Sequence, residues 1–193
     1  MIAALFVATG GVYFGLPDVD PWDEKRDARL YAGPWPVVAH PPCSTWCQLA
    51  HVNQKRYGHK VGDDGGCFES ALASVRRWGG VLEHPAASIA WPRFGLQSPS
   101  HGGWEQDLIT GEWVCKVFQS AYGHRARKAT YLLYVGKTPP ANLDWSSPKP
   151  TATVSFLKNH GGGNLPRLSK KEAKASPPAF RDALLSLARR SAG

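Results

Sequence analysis

Acidic side chains are scarce in this chain of 193 residues: 15 Asp and Glu stand against 23 Lys and Arg, a formal net charge of +8 at pH 7. The only acidic cluster is Asp18, Asp20, Asp23, Glu24 and Asp27. This balance favours an anionic partner, with nucleic acid the first candidate. Cysteine is also sparse. Cys43, Cys47, Cys67 and Cys115 are irregularly spaced, and a domain of this size needs no disulfide framework, so the thiols are expected to be reduced and the chain cytoplasmic. Long hydrophobic runs are missing too. The opening Met1-Ile2-Ala3-Ala4-Leu5-Phe6-Val7-Ala8 has no basic flank, is too short for a bilayer and runs into Gly10-Gly11, so it reads as a buried strand, with no membrane partner expected. There is no internal repeat.

The balance that remains, 42% hydrophobic and 20% charged, is that of a globular protein. A first strand is predicted over residues 2–8, ending at Thr9-Gly10-Gly11. Residues 12–16 then begin a helix or return as the second strand of a hairpin. Residues 17–36 read as turns. A short strand over 37–39 enters the turn His40-Pro41-Pro42-Cys43, and a helix over 44–51 follows, with Ser44 or Thr45 as its cap. Residues 54–66 form a basic, glycine-rich loop. Cys67, Phe68, Ala71, Leu72 and Val75 recur at helical spacing and Gly79 stops that helix. A strand over 81–83 then completes a strand-helix-strand unit, which implies a parallel pair.

Residues 95–111 are expected to be a long loop, and 113–122 and 130–135 two strands paired antiparallel. Residues 137–166 are rich in Pro, Gly, Ser and Thr; the run Gly161-Gly162-Gly163-Asn164 reads as a linker. A last helix over 178–190 places Phe180, Leu184, Leu187 and Ala188 on one face, with Pro178 in its first turn. The expected organisation is a compact α/β domain over 1–136, a connection over 137–166 and a helical segment over 167–193 packing on the same domain.

Two strand endings carry the chemistry. In open α/β sheets, ligands bind beyond the carboxyl ends of the strands. Pro41 and Pro42 hold the backbone extended, which gives Cys43 a fixed aim. A thiolate nucleophile needs that aim and a polar or positive neighbourhood, which His40 and the basic loop can provide. Glu83 places a carboxylate at the end of an apolar strand, costly unless it is paired or reactive. Three other readings stay open: a buried, inert cysteine, a Glu83 paired with arginine, and a zinc set made of His40, Cys43, Cys47 and His51.

Pro41-Pro42-Cys43 and Glu83-His84-Pro85 resemble the Pro-Pro-Cys and Glu-Asn-Val motifs of the cytosine-C5 DNA methyltransferases. Leu5-Phe6-Val7-Ala8-Thr9-Gly10-Gly11, with Gly15-Leu16 behind it, is similar to that family's cofactor motif. Gln119 and Tyr122-Gly123-His124-Arg125-Ala126-Arg127 resemble its Gln-x-Arg-x-Arg motif, and Pro166-Arg167-Leu168-Ser169-Lys170-Lys171-Glu172 its C-terminal Arg-x-Leu-Thr-x-x-Glu. The resemblance implies a Rossmann-like methyltransferase-type sheet, truncated, with an antiparallel strand pair in the C-terminal half. It implies Cys43 adding to C6 of a flipped-out cytosine, Glu83 contacting N3, and Arg125 and Arg127 shaping the site.

It further implies S-adenosylmethionine held by Phe6, Thr9, Gly10, Gly11 and Pro41, and a base contacted by His40, Pro42, Ser44, His84, Gln119 and Lys128. No metal is implied. The chain departs from the family at Ala4, where an acidic residue is usual, at Ala8 in the glycine motif, and at His84 after the glutamate. The stretch from Leu16 to Pro41 is short for the two strands that hold ribose and adenine; Asp18, Asp20 or Asp23 stand as replacements for the ribose carboxylate. Two alternatives follow: an enzyme acting on free nucleotides or using another one-carbon donor, and a non-catalytic nucleic-acid-binding module.

Overall fold

A computed structural model describes residues 1–48, 50–58, 60–154 and 165–193. Among them, β1 (Ile2–Leu5), β2 (Val19–Trp22), β3 (Val37–Ala39), β4 (Gly80–Pro85), β5 (Trp104–Gln106), β6 (Trp113–Phe118) and β7 (Ala129–Val135) form one mixed sheet. The order is β2-β1-β3-β4-β7-β6-β5. The first four strands are parallel; β7 is antiparallel to β4, β6 to β7, and β5 to β6. The parallel pair of β3 and β4 and the antiparallel pair of β6 and β7 agree with the sequence reading.

Helices cover the sheet on both sides. The strands β1 and β3 are buried throughout, as strands covered on two faces must be, and this is why they read as unbroken apolar runs. On one side Ala3, Leu5, Val37, Ala39 and Leu82 meet Phe68, Ala71, Leu72 and Val75 of α2 (Cys67–Trp78) and Ala90 and Trp91 of α3 (Ala90–Arg93). On the other, Ile2, Ala4, Val38 and Val81 meet Phe180, Leu184, Leu187 and Ala188 of α5 (Pro178–Ser191). The Asp64 carboxylate starts α2 by accepting the backbone N–H groups of Gly66, Cys67 and Phe68, and Gly79 ends it at φ 77°.

Several local expectations are corrected. Residues 12–16 are neither helix nor strand but turns, closed by the Phe14 N–H on the Gly11 carbonyl at 3.0 Å. β2 lies inside the supposed turn region; Pro21 sits on it without penalty because β2 is an edge strand and pairs only with β1. The helix predicted over 44–51 is displaced to α1 (Ala50–Tyr57), so the supposed loop over 54–66 begins as helix. The loop over 95–111 contains β5, which forms a hairpin with β6. The strand predicted to reach residue 122 ends at Phe118, and Gln119–Tyr122 is a 3-10 turn.

Between β7 and α4 (Lys170–Lys174) the described chain has little regular structure, apart from an isolated bridge between Thr153 and Arg167. The linker Gly161-Gly162-Gly163-Asn164 lies outside the described residues. A capping box of Ser169 and Glu172 starts α4. Among the described residues no helix is long and apolar enough to cross a membrane.

Candidate active site

The carboxyl ends of β3 and β4 lie side by side, with Ala39 opposite Leu82. One residue further along each strand, His40 and Glu83 meet: His40 Nδ1 is 2.9 Å from Glu83 Oε2. An ionised carboxylate only accepts, so Nδ1 carries the hydrogen. His40 Nε2 is 2.8 Å from Tyr13 Oη, and the His40 N–H binds the Leu5 carbonyl at 3.0 Å, tying the ends of β1 and β3. On the far side of the carboxylate, Gln119 Nε2 donates to Glu83 Oε1 at 3.2 Å and to Thr130 Oγ1 at 3.1 Å. Thr130 Oγ1 donates in turn to the Lys128 carbonyl at 3.2 Å. Five side chains from five segments thus make one hydrogen-bonded chain, Tyr13–His40–Glu83–Gln119–Thr130.

Glu83 is only 8% exposed. Burial on its own would raise its carboxyl, but the His40 hydrogen bond and the charges of His40, Lys128 and His84 outweigh it, so Glu83 titrates below the usual range and is ionised at neutral pH. Burial, reinforced by the Glu83 carboxylate, raises the Tyr13 phenol well above its ordinary value, so it keeps its proton. Cys43 is exposed at the rim, three residues beyond His40. Desolvation by the wall behind it raises the thiol, Glu83 adds to that, and Lys128 works against both. The thiol therefore rests protonated, close enough to Glu83 and Lys128 to feel both charges.

Two residues at this end of the sheet hold strained backbone. Phe6, directly after β1, has φ 59°, and Lys128, directly before β7, has φ 35°. Neither is glycine, and such conformations concentrate where a site dictates the geometry.

Of the residues singled out by sequence, Cys43, His40, Glu83, Gln119 and Lys128 come together, and Pro41, Pro42 and Ser44 flank Cys43, with Pro41 buried and the other two exposed. His84 is fully buried on the face opposite the Glu83 side chain, its ring edge-on to Phe68 at 5.0 Å between centroids and beside the Pro42 backbone. Successive residues of a strand point to opposite faces, so His84 is not part of the hydrogen-bonded chain through Glu83. Arg125 pairs with Glu172 at 3.2 Å, tying the segment before β7 to α4. Arg127 lies 4.1 Å over the Phe118 ring. Tyr13 and Thr130, which sequence reasoning missed, complete the chain; Tyr13 had no local signal, since its partner is 27 positions away.

The zinc set is not assembled. His40 has both ring nitrogens engaged, Cys47 donates to the Ser44 carbonyl at 3.4 Å, and no group of three or more metal-capable side chains forms among the described residues.

The expected cofactor segment lies at the end of β1. Gly10, at φ 65°, has open space where a Cβ would point, while Gly11 closes a tight turn onto the Ala8 carbonyl at 2.9 Å. Thr9 Oγ1 donates to Asp23 Oδ2 at 2.6 Å, and Asp23 Oδ1 accepts the N–H groups of Lys25 and Arg26. Asp23, just past the end of β2, is therefore committed to protein partners. Asp18 precedes β2, and Asp20 is taken by Trp22 Nε1 and Arg26. As they stand, none of these carboxylates fits the ribose of a nucleoside donor.

Compared with family models, curated proteins and solved structures, the chain matches none.

Proposed function

We propose that this protein modifies C5 of a pyrimidine base, with Cys43 adding transiently to C6 and Glu83 holding N3, in the manner of the cytosine-C5 DNA methyltransferases it resembles. One observation carries the reading. The thiol lies in the turn that follows β3 and the carboxylate on the adjacent parallel strand β4, coupled electrostatically, with the carboxylate held rigid by partners on both oxygens. The mixed α/β sheet, covered by helices on both sides, is compatible with a Rossmann-like arrangement.

Addition to C6 moves the ring electrons toward C5, which then attacks an electrophilic one-carbon group. Loss of the C5 proton and expulsion of the thiolate restore the ring. S-adenosylmethionine fits poorly as the donor, because Asp20 and Asp23 are already engaged. That engagement favours, as a second reading, a one-carbon donor other than S-adenosylmethionine. DNA is the favoured substrate on charge, and free nucleotide the alternative.

The test is intact-mass analysis of the protein with a cytosine-containing duplex carrying 5-azacytosine, a ring that traps an attacking thiol without any donor. The expected result is a covalent adduct on wild type and on Cys47→Ser, and none on Cys43→Ser. An adduct absent from wild type with both the duplex and the free 5-azacytosine nucleotide overturns the reading; one retained by Cys43→Ser overturns the role of that thiol.

A further inference from the structure

Both oxygens of Glu83 are occupied from within the protein, and one partner carries a transferable proton. Gln119 Nε2 holds Oε1 but is an amide and has no proton to give. His40 Nδ1 holds Oε2 at 2.9 Å, and its other nitrogen is fixed at 2.8 Å by Tyr13 Oη. Tyr13 is 3% exposed and the His40 side chain 13%. A hydrogen bond alone would be met by any donor. An imidazole backed by a buried phenol is a more specific arrangement, because its second nitrogen can hold a proton while the first gives one up.

We infer that Tyr13 and His40 are positioning residues that load Glu83 with the proton it passes to N3 of the base, His40 as the imidazolium store and Tyr13 as the acceptor that fixes its ring. The inference rests on the reading above. Glu83 by itself is ionised and has no proton for N3, yet the ring becomes electrophilic at C6 only as N3 is protonated.

Cys43 at the exposed rim loses its thiol proton to solvent. His40 Nδ1 passes its proton to the Glu83 carboxylate, leaving a neutral imidazole, and Glu83 passes the same proton to N3. As it does so Sγ bonds to C6, the C5–C6 π pair moves to C4–C5, and the C4–N3 π pair becomes the N3–H bond. When Sγ leaves, the N3 proton returns through Glu83 to His40 and the thiolate recovers a proton from solvent, so no proton is consumed. The charged and titratable groups around this chain are Glu83 and His84 of β4, Cys43 beyond β3, Lys128 before β7, and Arg181 and Asp182 of α5, which act on Tyr13.

Two rings separate this role from a structural one. Cytosine needs N3 protonated before C6 is attacked; 5-azacytosine has a nitrogen at position 5 and accepts the thiolate with far less help. Duplexes carrying C5-tritiated cytosine or 5-azacytosine are offered without donor, and tritium release and covalent adduct are measured for each variant. Wild type should release tritium and form the adduct. His40→Asn keeps a hydrogen-bond donor toward Glu83 but holds no transferable proton, so its tritium release should fall by about 100-fold while its adduct rate falls by less than about 10-fold. Tyr13→Phe should move in the same direction by less.

Equal losses on both rings, or full tritium release by His40→Asn, overturn the inference and leave the role of Cys43 standing. A wild type inert on both rings, like Cys43→Ser, overturns the parent reading and this inference with it. Unfolding midpoints of His40→Asn and Tyr13→Phe within a few degrees of wild type establish that the comparison is between folded proteins.

Discussion

His84 shows how one position can be informative for the wrong reason. It follows the glutamate where the resembling family carries asparagine, and so looks like part of the site, yet its ring is fully buried against Phe68 and beside the Pro42 backbone. Burial pushes its pKa down from 6.5 to about 4, against the pull of the Glu83 carboxylate, so it is neutral in the fold. The unfolded chain then binds more protons than the folded one between those two values. Stability is full above pH 6.5 and is lost as the pH falls toward 4, by about 3 kcal/mol in all.

His84→Phe should make that limb shallower in urea unfolding series between pH 7 and pH 4, leaving the contribution of His124, whose pKa burial also lowers, and the steeper loss at lower pH. Glu83 belongs to that lower window: its depressed carboxyl stabilises the fold above its ordinary value of 4.5 and ceases to do so as the pH falls through its folded value. A His84→Phe profile that keeps the wild-type slope would remove His84 as the source and leave His124, whose pKa burial also lowers. At this scale the sequence shows which side chains are chemically costly, such as Glu83 and Cys43, but not which face a strand residue occupies when both faces are covered. Both His84 and Glu83 interrupt an apolar run, and no alternation distinguishes the inward position from the other.

Among elements, the legible ones are those with a period or an unbroken apolar run. α2 and α5 carry their buried residues at helical spacing, and β1, β3 and β4 read as buried strands bounded by Gly or Pro. β2 was hidden because an edge strand with Asp20 and Pro21 has neither apolar content nor alternation. β5, three residues long, was hidden because its pairing with β6 is entirely tertiary. α1 lay further along than its cap residues suggested.

The close packing of β3 on β4 was equally invisible in sequence, yet it gives the sharpest element-scale prediction. A Cβ on Gly80 would sit 1.9 Å from the Val37 carbonyl oxygen and 2.6 Å from its nitrogen, at φ 121°. Those atoms are backbone and cannot swing aside, so Gly80→Ala must separate the two strands that carry His40 and Glu83. The expected loss exceeds about 3 kcal/mol in chemical unfolding, whereas Gly103→Ala, with open space around its Cβ position, should be near neutral. A Gly80→Ala protein as stable as wild type would contradict the strand spacing.

Over the whole molecule the +8 charge is unevenly available. Arg26, Arg29 and Arg76 are paired with Asp20, Asp27 and Glu112. At the site end of the sheet, Lys128 and the exposed Arg127 border Glu83 and Phe118; Arg77, in the last turn of α2, lies toward the opposite end. If a nucleic acid enters over Cys43, the first group should meet phosphate and the second should not.

Binding to a duplex should then weaken linearly in log salt, with a slope of about 0.9 per phosphate engaged. Arg127→Ala should reduce that slope by roughly one contact, and Arg77→Ala should leave it unchanged. Because Arg127 is exposed and stacks on Phe118 by its guanidinium face, its removal should not disturb the hydrogen-bonded chain from Tyr13 to Thr130. Anisotropy titrations of a labelled duplex at several salt concentrations make the measurement. Equal effects of the two substitutions would mean that the net charge acts diffusely. Salt-independent binding would turn the reading toward a free nucleotide, whose few charges release too few counterions to give a steep slope.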